Sequence, residues 1–297
     1  MPDRKGVCRL SRYFTNRLAR YAVFISATVS FLVLLAIAVF IFREGLPAFE
    51  QIGILDFLFG TVWRPGQAEY GILVMIAGSV AVTAGSLLLA VPMGIACAIL
   101  LAEVAPFRVR QTLRPAVELL VGIPSVVYGL VGMVLLVPAV RRLGGSGYSV
   151  LAASIVLMAM VLPTIISISE DSIRAVPAAY KEGALALGAT HWQTIWKVLL
   201  PAARSGIGAS IVLGMGRAVG ETMAMIMVIG NSIIFPTSPL SPARTLTGNI
   251  AVEIGYASGI HRSALFATGI VLFVFILIIN SIAVVSLKRG SNAQNLA

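Results

Sequence analysis

The chain has 297 residues, of which 58% are hydrophobic and only 11% are charged, and its formal net charge is +10. Soluble domains carry about 25% charged residues, so a water-soluble fold is excluded and lipid must solvate much of the surface. The basic residues cluster beside apolar segments, which indicates membrane topology rather than nucleic acid binding. Two cysteines, Cys8 and Cys97, provide no disulfide framework.

Apolar stretches long enough to cross a bilayer recur along the chain, since a helix needs roughly 20 apolar residues to span the hydrocarbon core. Uncharged stretches lie at 21–42, 70–102, 119–140, 143–169 and 263–287, and a further stretch at about 205–233 contains Arg217 and Glu221. They predict an all-α integral membrane protein with about six transmembrane helices. Pro92, Pro163 and the sequence Gly122-x-Pro124 predict kinks in these helices.

The distribution of Lys and Arg predicts the orientation of the chain. The side that holds both termini carries fifteen of these residues against six on the other side, so we expect both termini in the cytoplasm. The predicted order is a basic cytoplasmic tail (1–20), a first transmembrane helix (21–42), an extracytoplasmic segment (43–69), a transmembrane domain (70–287) and a cytoplasmic tail (288–297). The transmembrane domain includes a cytoplasmic hairpin at 176–204.

The predicted hairpin consists of two short helices. Pro177 suits the first turn of a helix, and Gly188 is a natural helix terminator. Thr190 and Gln193 have the spacing of a capping box, which begins a second helix. From spacing alone, two hypotheses are open: an amphipathic hairpin lying on the bilayer, and a protruding surface element.

The hairpin sequence resembles the signature of ABC importer permeases. Glu182-Gly183-Ala184 is followed at the family's spacing by Gly188 and by Val198-x-Leu200-Pro201, and Gly183 stands where the family usually has Ala. The resemblance implies the transmembrane domain of a type-I ABC importer, whose hairpin docks in a groove of a separate ATP-binding subunit. In that hypothesis Glu182 makes the polar contact and Gly188 allows the tight turn. The sequence holds no Gly-Lys-Ser/Thr phosphate loop, so the chain is not itself a P-loop ATPase.

Arg217 and Glu221 are four residues apart, which predicts that they share one face of a helix. Gly214, Gly216 and Gly220 are expected to permit close helix approach. Charged residues inside a membrane usually face a cavity or each other. Two hypotheses are therefore open: a salt bridge that locks two helices, and an anion pathway in which Arg217 pairs with phosphate or sulfate oxygens and Glu221 holds or competes for it.

The segment around this pair is similar to the C-type permease subunit of phosphate-specific transport (Pst) systems. The likeness includes Gly216–Ala224, Ile229-Gly230-Asn231, Phe42–Pro47 and Trp63-x-Pro65, and it covers most of 38–287. It implies a permease subunit of an ATP-driven inorganic phosphate importer that works by alternating access in the bacterial cytoplasmic (inner) membrane. The implied partners are a related A-type permease, an ATP-binding subunit dimer, an extracytoplasmic phosphate-binding protein, phosphate and membrane lipid, with no nucleic acid.

Enzymatic chemistry is not predicted, because no nucleophile–base pair is apparent. His191 and His261 are expected on opposite sides of the membrane, so we predict no catalytic residues, no metal site and no cofactor. ATP hydrolysis would belong to a partner subunit. The alternatives are an ABC permease for another anion, such as molybdate or sulfate, and a secondary transporter without an ATPase, although no inverted repeat is apparent.

Overall fold

The computed structural model describes the backbone of residues 4–292 and the side chains of residue 17 and residues 19–281. Parts of the two predicted tails, residues 1–3 and 293–297, lie outside this range. The described fold is helical apart from one antiparallel pair of short strands, β1 (Trp63–Arg64) and β2 (Glu69–Tyr70). The helices are α1 (Arg4–Ile52), α2 (Ile54–Phe59), α3 (Leu73–Ile99), α4 (Phe107–Val121), α5 (Ser125–Val131), α6 (Val137–Arg141), α7 (Val150–Arg174), α8 (Ala178–Ala186), α9 (His191–Thr194), α10 (Leu200–Gly220), α11 (Met223–Val228), α12 (Leu246–Glu253) and α13 (Gly259–Asn292).

Five helical segments in the described range are long and apolar enough to cross a membrane, or six if the bent pair α4 and α5–α6 counts as one span. The two halves of that pair meet at 98°. Pro124 caps α5 with an extended backbone, so the predicted kink at Gly122-x-Pro124 is confirmed and is sharper than a bend within one helix. By contrast, α3 and α7 continue through Pro92 and Pro163 as uninterrupted helices.

The first helix is longer than predicted. It begins at Arg4, within the predicted basic tail, and continues through Pro47 to Ile52. Part of the predicted segment 43–69 is therefore helical, and the rest forms α2 and the strand pair. Large apolar side chains of α1 between residues 21 and 40 are exposed, as expected for a helix in contact with lipid.

The spanning helices pack around α7, with α3 and α10 along it, while α1 packs along α13. We call the end that bears α8 and α9 the hairpin end, and the end that bears the strand pair and α12 the opposite end.

Three buried apolar clusters follow one another along this bundle. The central cluster includes Leu157, Met160 and Val161 of α7 and Met225 of α11. A second, at the opposite end, includes Phe57, Trp63, Tyr70 and Leu265. The third lies at the hairpin end and joins the last turn of α3, the end of α7 and the start of α10 through Ala98, Ile173, Ile195 and Ala203. The hairpin is thereby connected to the core of the bundle rather than lying apart from it.

Candidate translocation site and coupling hairpin

The fifth span is interrupted at the predicted charged pair. α10 ends at Gly220, and Glu221 has an extended backbone (φ −69°, ψ 129°) before α11 begins at Met223. The prediction that Arg217 and Glu221 share one helix face is therefore wrong. The predicted continuous span at about 205–233 is likewise replaced by two helices separated by a break.

Glu221 stabilises the break through hydrogen bonds to neighbouring backbone groups. The N–H of Ala224 donates to its carboxylate (3.1 Å), which caps the first turn of α11. The hydroxyl of Thr247 donates to the Glu221 carbonyl (3.0 Å) and so ties the break to α12. Among the ion pairs of residues 17–281, none joins Glu221 to Arg217. The signal that sequence analysis missed was an acidic residue three positions before Ala224, which is typical of a helix start.

Arg217 lies half-buried in the last turn of α10, before the break. No acidic side chain in the described range pairs with it. An arginine without an acidic partner retains its forked donors for an oxyanion.

The glycines near Arg217 do not all have the predicted role. A Cβ at Gly214 would lie 2.8 Å from Val161 of α7, so Gly214 does permit close helix approach. At Gly216 and Gly220 an added Cβ would meet no atom within 4 Å, so these two positions face open space on the same stretch of helix as Arg217. The structure therefore provides an open face beside the arginine, where the sequence predicted a helix contact.

The hairpin forms as predicted. α8 follows Pro177, and the turn passes through Gly188 with φ +85°, a conformation that L side chains rarely adopt. Thr190 and Gln193 complete a reciprocal capping box at the start of α9. A π-helical turn (Ile195–Leu199) then connects α9 to α10 without interruption.

The predicted coupling residues are divided between the surface of the hairpin and its root. Glu182 and Gly183 are exposed on α8, and Ala184 is half-buried beside them. Leu187, next to the turn, is 92% exposed, so an apolar side chain projects from the tip of the hairpin. Leu200 packs against the apolar cluster of the hairpin end, and Pro201 occupies the first turn of α10.

The hairpin and Arg217 lie on one continuous element. Leu200 and Arg217 are both in α10, and 17 residues at 1.5 Å each separate them by about 26 Å. The structure therefore does not bring the two predicted sites together. It connects them by a single uninterrupted helix, α10.

A buried carboxylate also anchors the neighbourhood of the hairpin. Glu170 of α7 is 2% exposed and lies 2.7 Å from Nη2 of Arg174, one turn later, and 3.7 Å from Nη1 of Arg114 in α4. Arg114 also pairs with Asp171. This network joins the bent span to α7 at the hairpin end, and nothing in the sequence pattern indicated it.

At the opposite end, Glu253 of α12 is buried and accepts three contacts. Nη1 of Arg244 donates to Oε1 (2.6 Å), Nε1 of Trp63 donates to Oε2 (2.9 Å), and Nε2 of His261 lies 2.8 Å from Oε2. Tyr70 stacks on the His261 ring with centroids 6.1 Å apart. Burial raises the pKa of the Tyr70 hydroxyl, with a further contribution from Glu253, so the phenol stays neutral. These contacts tie the strand pair to α12 and α13.

Among the described residues, no three His, Cys, Asp or Glu side chains form a group that could hold a metal ion. His191 and His261 lie at the two ends of the bundle, as predicted from the sequence. His191 is 3.6 Å from a carboxylate oxygen of Glu103, and His261 belongs to the Glu253 cluster.

Comparisons with known proteins find relatives among transport permeases. Residues 90–290 match the family described as "Binding-protein-dependent transport system inner membrane component". The chain is 43% identical over 283 residues to the probable ABC transporter permease protein YqgH of Bacillus subtilis, covering 91% of this chain and 92% of that protein. It is 33% identical over 302 residues to the phosphate transport system permease protein PstC of Pasteurella multocida, covering 95% and 94%. It superposes on a chain of a bacterial alginate ABC transporter, solved with its alginate-bound periplasmic protein, with a TM-score of 0.64, 20% identity and coverage of 93% and 96%.

Proposed function

The chain belongs to the family of binding-protein-dependent transport system inner membrane components, and from this premise we propose that it is the permease subunit of an ATP-driven importer of inorganic phosphate. It is a multi-pass membrane protein with the transmembrane fold of ABC importers, and it is a transport subunit rather than an enzyme. ATP hydrolysis belongs to a separate ATPase subunit. The likeness to PstC proteins favours phosphate as the cargo.

One structural observation supports an anion as the cargo. Arg217 is next to Gly216 and one turn before Gly220, two positions that face open space, and no acidic side chain in the described range pairs with it. A permease needs such a group because phosphate must exchange its water shell for donors that match its oxygens. The half-buried position strengthens the attraction relative to bulk water without enclosing the anion.

The role of Glu221 follows from the break rather than from an ion pair. By capping α11, its carboxylate holds the two helix ends apart and keeps backbone groups of the break accessible. Its negative charge also limits how tightly an anion binds near Arg217, which favours release. Both roles require the interruption that the structure reveals after Gly220.

Coupling to ATP hydrolysis would occur at the hairpin. In this proposal Glu182 and the projecting Leu187 enter a groove of an ATP-binding subunit, and Gly183 and Ala184 follow Glu182 in α8. Closure of the ATP-binding dimer displaces the hairpin, and α10 transmits the displacement to Arg217, about 26 Å away. The translocation pathway beside Arg217 then opens alternately to either side of the membrane.

The orientation and the remaining partners belong to the same proposal. The excess of Lys and Arg at the hairpin end favours the cytoplasm for that end and for both termini. The opposite end, with its strand pair and α12, would then receive phosphate from an extracytoplasmic binding protein. A related A-type permease subunit would complete the pathway against the open face of α10.

Uptake measurements in a strain that lacks the endogenous permease test the cargo. We expect Arg217→Gln to abolish uptake of labelled phosphate, while Arg142→Gln, which removes an exposed charge from a loop, retains it. In proteoliposomes of the complex, phosphate with its binding protein should stimulate ATP hydrolysis more than sulfate or molybdate. Full phosphate uptake by Arg217→Gln, or stimulation by sulfate or molybdate alone, would reject phosphate as the cargo.

A further inference from the structure

A cavity of about 620 Å³ opens between α3 and α10 at the hairpin end. Its walls are apolar and its mouth is aromatic; the residues are Ile95, Ile99, Ile207, Ile211, Trp192 and Trp196. The two tryptophan rings meet edge to face with centroids 5.9 Å apart, and both side chains are about half exposed. Tryptophan prefers the boundary between hydrocarbon and headgroups, so the mouth lies where a lipid headgroup would lie.

One charged side chain enters this apolar cavity. Arg204 lines it, and its Nη2 atom is buried without a hydrogen-bond acceptor anywhere in the part of the chain that the structure describes. A buried guanidinium nitrogen that lacks an acceptor is unfavourable, because charged donors lose strong bonds to water. Lys197 lies two turns earlier and is exposed, which adds positive charge near the mouth. The cavity therefore combines an apolar interior with an unsatisfied cationic donor.

The cavity is separate from the proposed phosphate pathway. Arg217 follows Arg204 by 13 residues in α10, and at 3.6 residues per turn the two side chains leave the helix about 140° apart. The pathway face carries the open positions of Gly216 and Gly220, whereas the cavity faces α3. The cavity therefore opens toward the outer surface of this pair of helices and not toward Arg217.

We propose that this cavity binds an anionic phospholipid. A phosphodiester oxygen accepts a hydrogen bond from Nη2 of Arg204, and an acyl chain lies along the isoleucines of α3 and α10. Basic pockets between membrane helices recognise anionic headgroups in this way. An apolar helix of a partner subunit would fill the walls but leave Nη2 unsatisfied, so the charge favours a lipid. The inference does not depend on the cargo proposed above.

Native mass spectrometry of the intact transporter complex tests the site, with phosphatidylglycerol and phosphatidylcholine supplied in equal amounts. We expect the wild-type complex to retain phosphatidylglycerol preferentially. Arg204→Gln should reduce the preference for phosphatidylglycerol over phosphatidylcholine at one site roughly tenfold, because the variant loses one charged hydrogen bond. The matched control Arg108→Gln removes an exposed charge at the same end, outside the cavity, and should change nothing. Ala96→Phe fills the cavity from α3 and should remove lipid of either kind.

Two further measurements identify the occupant. Excess inorganic phosphate should leave the phosphatidylglycerol bound, and its displacement would mean that the site takes free phosphate instead. A photo-crosslinker at position 96 should capture lipid, and capture of the partner permease would overturn the proposal. Equal retention of phosphatidylglycerol by the wild type, Arg204→Gln and Ala96→Phe would also overturn it. Because phosphate uptake is measured separately, failure here leaves the proposed function standing.

Discussion

Nζ of Lys181 in α8 lies 2.5 Å from Oε2 of Glu103, which belongs to the π-helical turn (Leu100–Val104) that ends α3. Nε2 of His191, at the start of α9, lies 3.6 Å from the same oxygen. One carboxylate therefore contacts both arms of the hairpin and holds them to α3. The hairpin is thus attached to α3 through this carboxylate and to α10 through the continuous backbone, so in the proposed function a displacement of the hairpin would act on two spanning helices.

Neutralising that carboxylate should weaken coupling. We expect Glu103→Gln to reduce phosphate transported per ATP hydrolysed about fivefold, the effect of losing about 1 kcal/mol from a partly exposed pair. The double variant that exchanges the two charges, Glu103→Lys with Lys181→Glu, should restore most of the phosphate transported per ATP hydrolysed. Glu118→Gln, which removes an exposed partner of Arg114 at the same end, serves as the control. The measurement is uptake and ATPase rate in the same proteoliposomes, and a swap as defective as the single variant argues against the ion pair.

Two glycines of the hairpin should respond oppositely to substitution. Gly188 has φ +85°, so Gly188→Val forces a strained backbone that costs about 1–3 kcal/mol. Gly183 is helical with open space at its Cβ position, so Gly183→Ala should stabilise α8 by up to about 1 kcal/mol. Hydrogen exchange of residues 178–199 measures both effects as faster or slower local opening. Equal protection in the two variants would show that the turn does not limit hairpin stability.

Glu253 should be among the most sensitive positions at the opposite end. Glu253→Gln leaves Arg244, whose side chain is only 11% exposed, without its carboxylate, and breaking one partner of a buried pair typically costs about 3–5 kcal/mol. Glu69 pairs with Arg64 at 4.0 Å, and both side chains are more than half exposed, so Glu69→Gln should change stability by less than about 1 kcal/mol. Thermal unfolding of the detergent-solubilised protein compares the two. A Glu253→Gln protein as stable as Glu69→Gln would mean that the cluster is not structurally important.

Arg217 and Glu221 should contribute independently to the stability of the fold, because no ion pair joins them across the break. Glu221→Ala removes the cap of α11, for which about 1 kcal/mol of stability is expected, whereas Arg217→Gln should abolish phosphate uptake. In a double-mutant cycle on thermal stability we expect an interaction energy within about 0.5 kcal/mol. An interaction energy above about 1 kcal/mol would support the ion-pair hypothesis instead.

Local signals in the sequence were sufficient for the hairpin. Pro177, Gly188 and the Thr190–Gln193 box all act on backbone groups within three or four residues, so their pattern determines structure without reference to the rest of the chain. The break after Gly220 was missed because the apolar composition continues across it. A continuous apolar pattern indicates that a segment lies in lipid, but it does not distinguish one long helix from two short ones.

The sequence by itself determined that this chain spans a membrane, bends at Gly122-x-Pro124 and carries a capped helical hairpin, because hydropathy and capping act over short distances. Only the tertiary structure decided which charges meet. Lys181 and Glu103 are 78 residues apart, and Trp63 and Glu253 are 190 apart. The absence of an ion pair between Arg217 and Glu221 is also a property of the tertiary structure. It depends on the end of α10 at Gly220 and on the hydrogen bond from Thr247 of α12 to the Glu221 carbonyl. Such contacts depend on how helices pack, and the membrane removes the polar–apolar alternation that would reveal their faces in a soluble protein.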